Sequence, residues 1–129
     1  MGAPVRRLED PALIQGAGSF VDDVQLPGSL HAAFVRSDVA HGHVRAIDAE
    51  AARCLPGVVA VLTGEDVLGK VGTVPCRTSV PGMQSPVHHA LAVDKVCFVG
   101  QPIAMVVAEH AAVARDAVDL IRVDVEPLP

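Results

Sequence analysis

Residues 103–126 read Ile103-Ala-Met-Val-Val-Ala108, then Glu109-His110-Ala-Ala-Val113-Ala114-Arg115-Asp116-Ala117-Val118-Asp119-Leu120, then Ile121-Arg122-Val123-Asp124-Val125-Glu126. Three patterns follow one another here. The first run is short, unbroken and apolar, which is the signature of a strand buried on both faces. From His110 to Leu120 the period becomes helical. Val113, Ala114, Ala117, Val118 and Ile121 make one apolar stripe. Arg115 and Asp119 sit four apart on another face. In the last run Ile121, Val123 and Val125 alternate with Arg122, Asp124 and Glu126. That alternation predicts a strand at a sheet edge or with one wet face. Pro127 and Pro129 end it.

Upstream the same order recurs. Leu30–Arg36 reads as a strand apolar on both faces, Asp38–Gly42 as a turn, and Val44–Asp48 as a second, shorter strand. Ala49–Leu55 has helix-forming composition and stops at Pro56-Gly57. Val58–Leu62, VVAVL, predicts a buried central strand. Thr63-Gly64-Glu65-Asp66 opens a short helical turn that ends near Gly69. Lys95–Val99 predicts a strand interrupted by Gly100-Gln101-Pro102. The chain is therefore β-β-α-β twice around a long central loop. This implies an α+β fold, a mixed sheet with helices packed on one face. Residues 1–29 read as an extended N-terminal arm, punctuated by Pro4, Pro11, Gly16, Gly18, Pro27 and Gly28. Residues 30–129 form the body of a single domain. The 70–90 loop, broken by Pro75, Pro81, Gly82 and Pro86, is long enough to suggest a partner-facing segment.

Composition narrows the function. At 129 residues the chain supports one modest core. It is 50% apolar and 19% charged, which excludes a disordered tail. The net charge of −5, with no Lys/Arg cluster, argues against a nucleic-acid partner. Three Phe, no Trp and no Tyr leave little for base- or sugar-stacking. Cys54, Cys76 and Cys97 are widely spaced and odd in number, so a reducing, cytoplasmic setting is expected. No apolar signal segment follows Met1. The Val96–Ala108 stretch is too short to span a bilayer.

No constellation of residues points to catalysis. His41-x-His43 and His88-His89 lack the further ligands that a four-coordinate metal site needs, so they read as turn and surface imidazoles. Gly16-Ala17-Gly18 begins like a dinucleotide fingerprint, but Val21 stands where a glycine is required and no strand precedes it. Glu65 and Asp66 suit helix capping and would repel phosphate. Glu9-Asp10 and Asp22-Asp23 read as solvated acids or as acceptors for nearby amides. Ser37 and Ser85 have no base at a recognisable spacing. Cys97, in a β-branched run, is expected to be an inert core thiol. No catalytic, cofactor-binding or metal residue is assigned.

The wording of the sequence says more. Arg7-Leu8-Glu9-Asp10-Pro11, Gly16-Ala-Gly18-Ser-Phe20-Val-Asp22-Asp23 and Pro27-Gly28-Ser-Leu30-His31 open it. Pro56-Gly57-Val58, Thr63-Gly64-Glu-Asp66, Asp94-Lys95-Val96 and Val99-Gly100-Gln101-Pro102 follow. Asp116-Ala117 and Val123-Asp124-Val125-Glu126-Pro127-Leu128-Pro129 close it. Across essentially its whole length the chain resembles the N-terminal a/b hammerhead domain of molybdenum hydroxylase large subunits. That family includes xanthine dehydrogenase, aldehyde oxidase and aerobic carbon monoxide dehydrogenase.

The resemblance implies a non-catalytic scaffold domain whose parent is an oxidoreductase. The parent would hold a molybdopterin-type molybdenum cofactor in a later part of the large subunit. [2Fe-2S] clusters and FAD would sit on partner subunits or domains. This segment alone would bind no cofactor and be inactive, and the parent would be oligomeric. The sequence departs from relatives at Val125, where Tyr is common, at Gln101, where Glu is frequent, and at Gly42, where a small alanine is usual. A second reading is a free-standing module that docks in trans on a separate catalytic chain. A third is an independent small-ligand or metal-binding protein that uses the histidine pairs.

Overall fold

A computed structural model describes residues 2, 4–5, 7–24, 26–75 and 80–129. Cys76 and the three residues after it, part of the central loop, lie outside the described residues, as do four positions of the arm. The first elements are α1 (Asp10–Ile14) and a 3-10 turn at Val21–Asp23. Then come β1 (His31–Arg36), β2 (Gly42–Asp48), α2 (Glu50–Arg53), β3 (Val58–Thr63) and α3 (Gly64–Val67). After the loop come β4 (Lys95–Val96), β5 (Pro102–Ala108), α4 (Ala111–Asp119) and β6 (Arg122–Pro127).

The α+β class and the two β-β-α-β halves stand as read. The strands divide into two three-stranded antiparallel sheets, ordered β1-β5-β3 and β4-β2-β6. Each half thus contributes strands to both sheets. β5 lies at the centre of its sheet, as its unbroken apolar run requires. Ala104, Val106 and Ala108 are fully buried on one face. They meet α4, whose Ala114 and Ala117 are small enough to let the helix lie close. Ala49, Ala52, Val61 and Ile121 complete that core.

Two strand readings need correction. β3 is an edge strand, not a central one, and Val59 is 55% exposed. A short apolar run records how much surface is covered, not which neighbour covers it, and here α2 packs against β3. β4 is only two residues long, because the chain turns at Phe98–Gly100 instead of continuing to Val99. Gly100 has φ +87°, a conformation that side chains disfavour.

A second cluster joins the sheets. Ile103 of β5 packs with Val96 of β4 and Ala92, and Val44, Val123 and Val125 lie against them. A backbone clasp ties the end of β1 to the turn that leads from β4 into β5. Ser37 N–H donates to Gln101 O at 2.9 Å, and Gly100 N–H donates to Ser37 O at 2.7 Å. The Arg36 guanidinium donates to Gly100 O at 2.9 Å. β6 is the outer strand of its sheet, with its alternate residues half-buried, as its sequence pattern predicts.

Candidate functional site

The structure does not bring the histidine pairs together. His41 Nδ1 lies 2.9 Å from Pro129 O at the end of the chain. His43 sits in β2 opposite Lys95 and Glu126. His88 stacks edge-on against Phe98, with ring centroids 5.7 Å apart. Among the described residues no three His, Cys, Asp or Glu side chains converge as a metal would need.

Three of the flagged acids have local partners. Glu9 pairs with Arg7, and both are largely exposed. The Asp23 carboxylate accepts the Phe20 N–H at 2.9 Å and so caps the 3-10 turn. Asp66 accepts both the Thr63 N–H and the Thr63 hydroxyl at 2.8 Å, holding the start of α3. These two bonds, the backbone one first, hold the Asp66 carboxyl below its ordinary 3.8. A lowered carboxylate pKa adds stability above the unfolded value, and this is lost as pH falls through the folded one. Asp66→Asn is therefore expected to be less stable than the parent at pH 7, by about 0.5–1 kcal/mol. The difference should shrink below pH 3.8, as urea midpoints at several pH values would show.

Cys97 corrects the sequence reading, since its side chain is exposed. The chain turns just after it, so the β-branched run does not continue into a covered strand. It lines a groove of about 330 Å³ between the 86–89 segment and the 92–98 segment. Val87, Ala92 and Phe98 give the groove apolar walls, and His89 and Lys95 stand among its lining residues. Gln101 also lines it and is itself 93% buried, with 7% of its surface exposed. Sequence reasoning gave Gln101 no binding role: it read as part of an interrupting turn and as a position where relatives often carry Glu. A lone amide between two apolar runs was the available signal.

A second groove, about 480 Å³, lies between β2 and α3. Arg45, Arg53, Glu65 and Asp66 line it. Arg45 is already paired with Glu126, and the two acids face any incoming anion. This donor set does not fit a pterin phosphate.

The arm leaves Leu8, Ile14, Phe20, Val21 and Leu26 strongly exposed. Loop residues Val74, Val80 and Val87 are exposed as well. No helix among the described residues is long and apolar enough to cross a membrane.

Comparison with known proteins places this architecture. The family model described as "Aldehyde oxidase and xanthine dehydrogenase, a/b hammerhead domain" matches residues 15–129. The carbon monoxide dehydrogenase large chain of Afipia carboxidovorans is 45% identical over 130 residues, covering 100% of this chain and 15% of the relative. The nicotine 6-hydroxylase large subunit of Paenarthrobacter nicotinovorans is 38% identical, covering 99% and 16%. Among solved structures, quinoline 2-oxidoreductase from Pseudomonas putida 86 superposes with a TM-score of 0.89 at 40% identity, covering 97% of this chain and 16% of that one. The Cu,Mo-CO dehydrogenase gives 0.85 at 44%, covering 100% and 16%. The chain thus spans about one-sixth of the length of these relatives. With the two antiparallel sheets, the central β5 and the α4 packing already in place, the chain belongs to the a/b hammerhead domain family of molybdenum hydroxylase large subunits, the family of aldehyde oxidase and xanthine dehydrogenase.

Proposed function

We propose that this chain is a non-catalytic scaffold domain of a molybdenum-dependent hydroxylase or dehydrogenase large subunit. Its parent belongs to the class that oxidises xanthine, aldehydes or carbon monoxide. One observation carries the reading: the whole chain aligns with relatives of which it makes up only 15–16%. The exposed apolar residues of the arm and loop support it, since they need cover that 129 residues do not supply. Residues 1–29 act as the arm and 30–129 as the body. The molybdopterin-type cofactor belongs to the remainder of the large subunit, and [2Fe-2S] clusters and FAD to its partner subunits or domains. The setting is cytoplasmic. A free-standing module is disfavoured, because these relatives carry the region within a far longer chain.

The test is the size of the native polypeptide on a denaturing gel, probed with an antibody to this domain. A band several times larger than 13.4 kDa is expected. A band at 13.4 kDa would overturn the reading. Limited proteolysis of the 129-residue chain should cut first in the arm or in the 70–90 loop. Those segments carry few backbone ladder bonds, and β5 lies between two strands. First cuts within Ile103–Ala108, read by mass spectrometry, would contradict the core assignment.

A further inference from the structure

The groove beside β4 has an anchor at its floor. Gln101 Oε1 accepts the Cys97 N–H at 2.7 Å. That bond fixes the amide orientation, because an N–H needs an oxygen opposite it, and so Nε2 is the free end. Among the described residues Nε2 meets no acceptor, yet no enclosed side-chain nitrogen or oxygen lacks a partner. The Nε2 atom is therefore not fully enclosed, and Gln101 is one of the residues that line the groove. A neutral donor, held by a residue 93% buried, sits among apolar walls. An occupant must bring apolar side chains and one uncharged acceptor. A charged acceptor would lose hydration against these walls, and the lining Lys95 is exposed, so its screened charge offsets little of that loss.

We infer that this groove receives an extended segment from the remainder of the large-subunit polypeptide, with one of its backbone carbonyls accepting the Gln101 Nε2–H. The inference rests on the proposed function and names the contact within it. Three observations favour this occupant. The relatives supply a long stretch of chain beyond the region matched here. Exposed apolar side chains remain uncovered at the walls Val87 and Phe98 and at Val99, next to Phe98 in the chain. Lys95, His89 and Asp94 stand beside those walls, giving the apolar centre and polar margin of a protein contact. An extended segment suits the donor, because its carbonyls are not all taken by a helix.

Cys97 reports on the cover. Its thiol is exposed on this chain and lines the groove. The rate of its alkylation by N-ethylmaleimide is measured by peptide mapping in the native full-length polypeptide. The same polypeptide unfolded in urea gives the reference rate. Native protection of about tenfold or more is expected, and a smaller factor overturns the inference. Protection that appears only with other polypeptides bound assigns the cover to them and also overturns it. Gln101→Glu keeps an acceptor for the Cys97 N–H but replaces the donor with a carboxylate. It should lose most of the protection, and full retention would exclude the carbonyl anchor. Val87→Asp, at an exposed wall position, should lower protection while leaving the thermal midpoint of the 129-residue chain unchanged. Unchanged protection in that variant counts against the groove as the contact. A native polypeptide of only 13.4 kDa defeats the proposed function itself. A large one with a freely reacting Cys97 defeats only this inference.

Discussion

Gly64→Ala is expected to lower stability by about 3 kcal/mol or more, a fall in the thermal midpoint of about 10 °C. Gly64 is the first residue of α3, and it is buried. A β-carbon there would press into the Ala92 carbonyl, 2.7 Å from its carbon and 2.9 Å from Val93 Cα. These neighbours are backbone atoms, so they cannot swing away as a side chain would. The Ala92 N–H is also bonded to Pro102 O at 2.8 Å, which ties the crowded segment to the start of β5. Relief would have to move either α3 or the chain entering β4. Gly72→Ala is the control. A β-carbon at Gly72 meets nothing within 4 Å, and the substitution should stay within about 0.5 kcal/mol of the parent. Urea unfolding of the two variants beside the parent decides the point. Equal midpoints for both would show that the α3–Ala92 contact is not as close as described.

Ile103→Ala is the second large effect, expected at about 3 kcal/mol. Ile103 is 1% exposed and is among the largest fully buried side chains. It starts in the β1-β5-β3 sheet and packs against Val96 of the other sheet. Truncation therefore removes buried methyl groups and opens a void at the seam between sheets. Ile103→Val should cost only about 1 kcal/mol, because the β-branch and most of the volume remain. Val59→Ala, on the exposed side of edge strand β3, should change stability little. Chemical denaturation of the three variants orders them. A cost for Val59→Ala as large as that for Ile103→Ala would contradict the edge placement of β3.

Much of the fold was legible in residue order. The 103–126 stretch announced strand, helix and strand because each has a different apolar period. The stop at Pro56-Gly57 and the Thr63–Asp66 cap were legible because they act within a few residues of one another. The candidate site was much less so. Gln101 looked like part of a turn and Cys97 like a core thiol. Their roles depend on the 86–89 segment, which is near in sequence but follows no regular period and forms the opposite wall of the groove.

By itself the sequence determined the element types, their order, the α+β class and the family resemblance. Period, propensity and capping are local properties, written over stretches of four to eleven residues. Only the tertiary structure decided that the strands split into two sheets, that VVAVL lies at an edge, and that Gln101 lines a groove with apolar walls. An apolar run demands cover without naming the segment that provides it. That choice is made by contacts such as Ile103 with Val96 and Ser37 with Gln101, between residues seven to sixty-four positions apart.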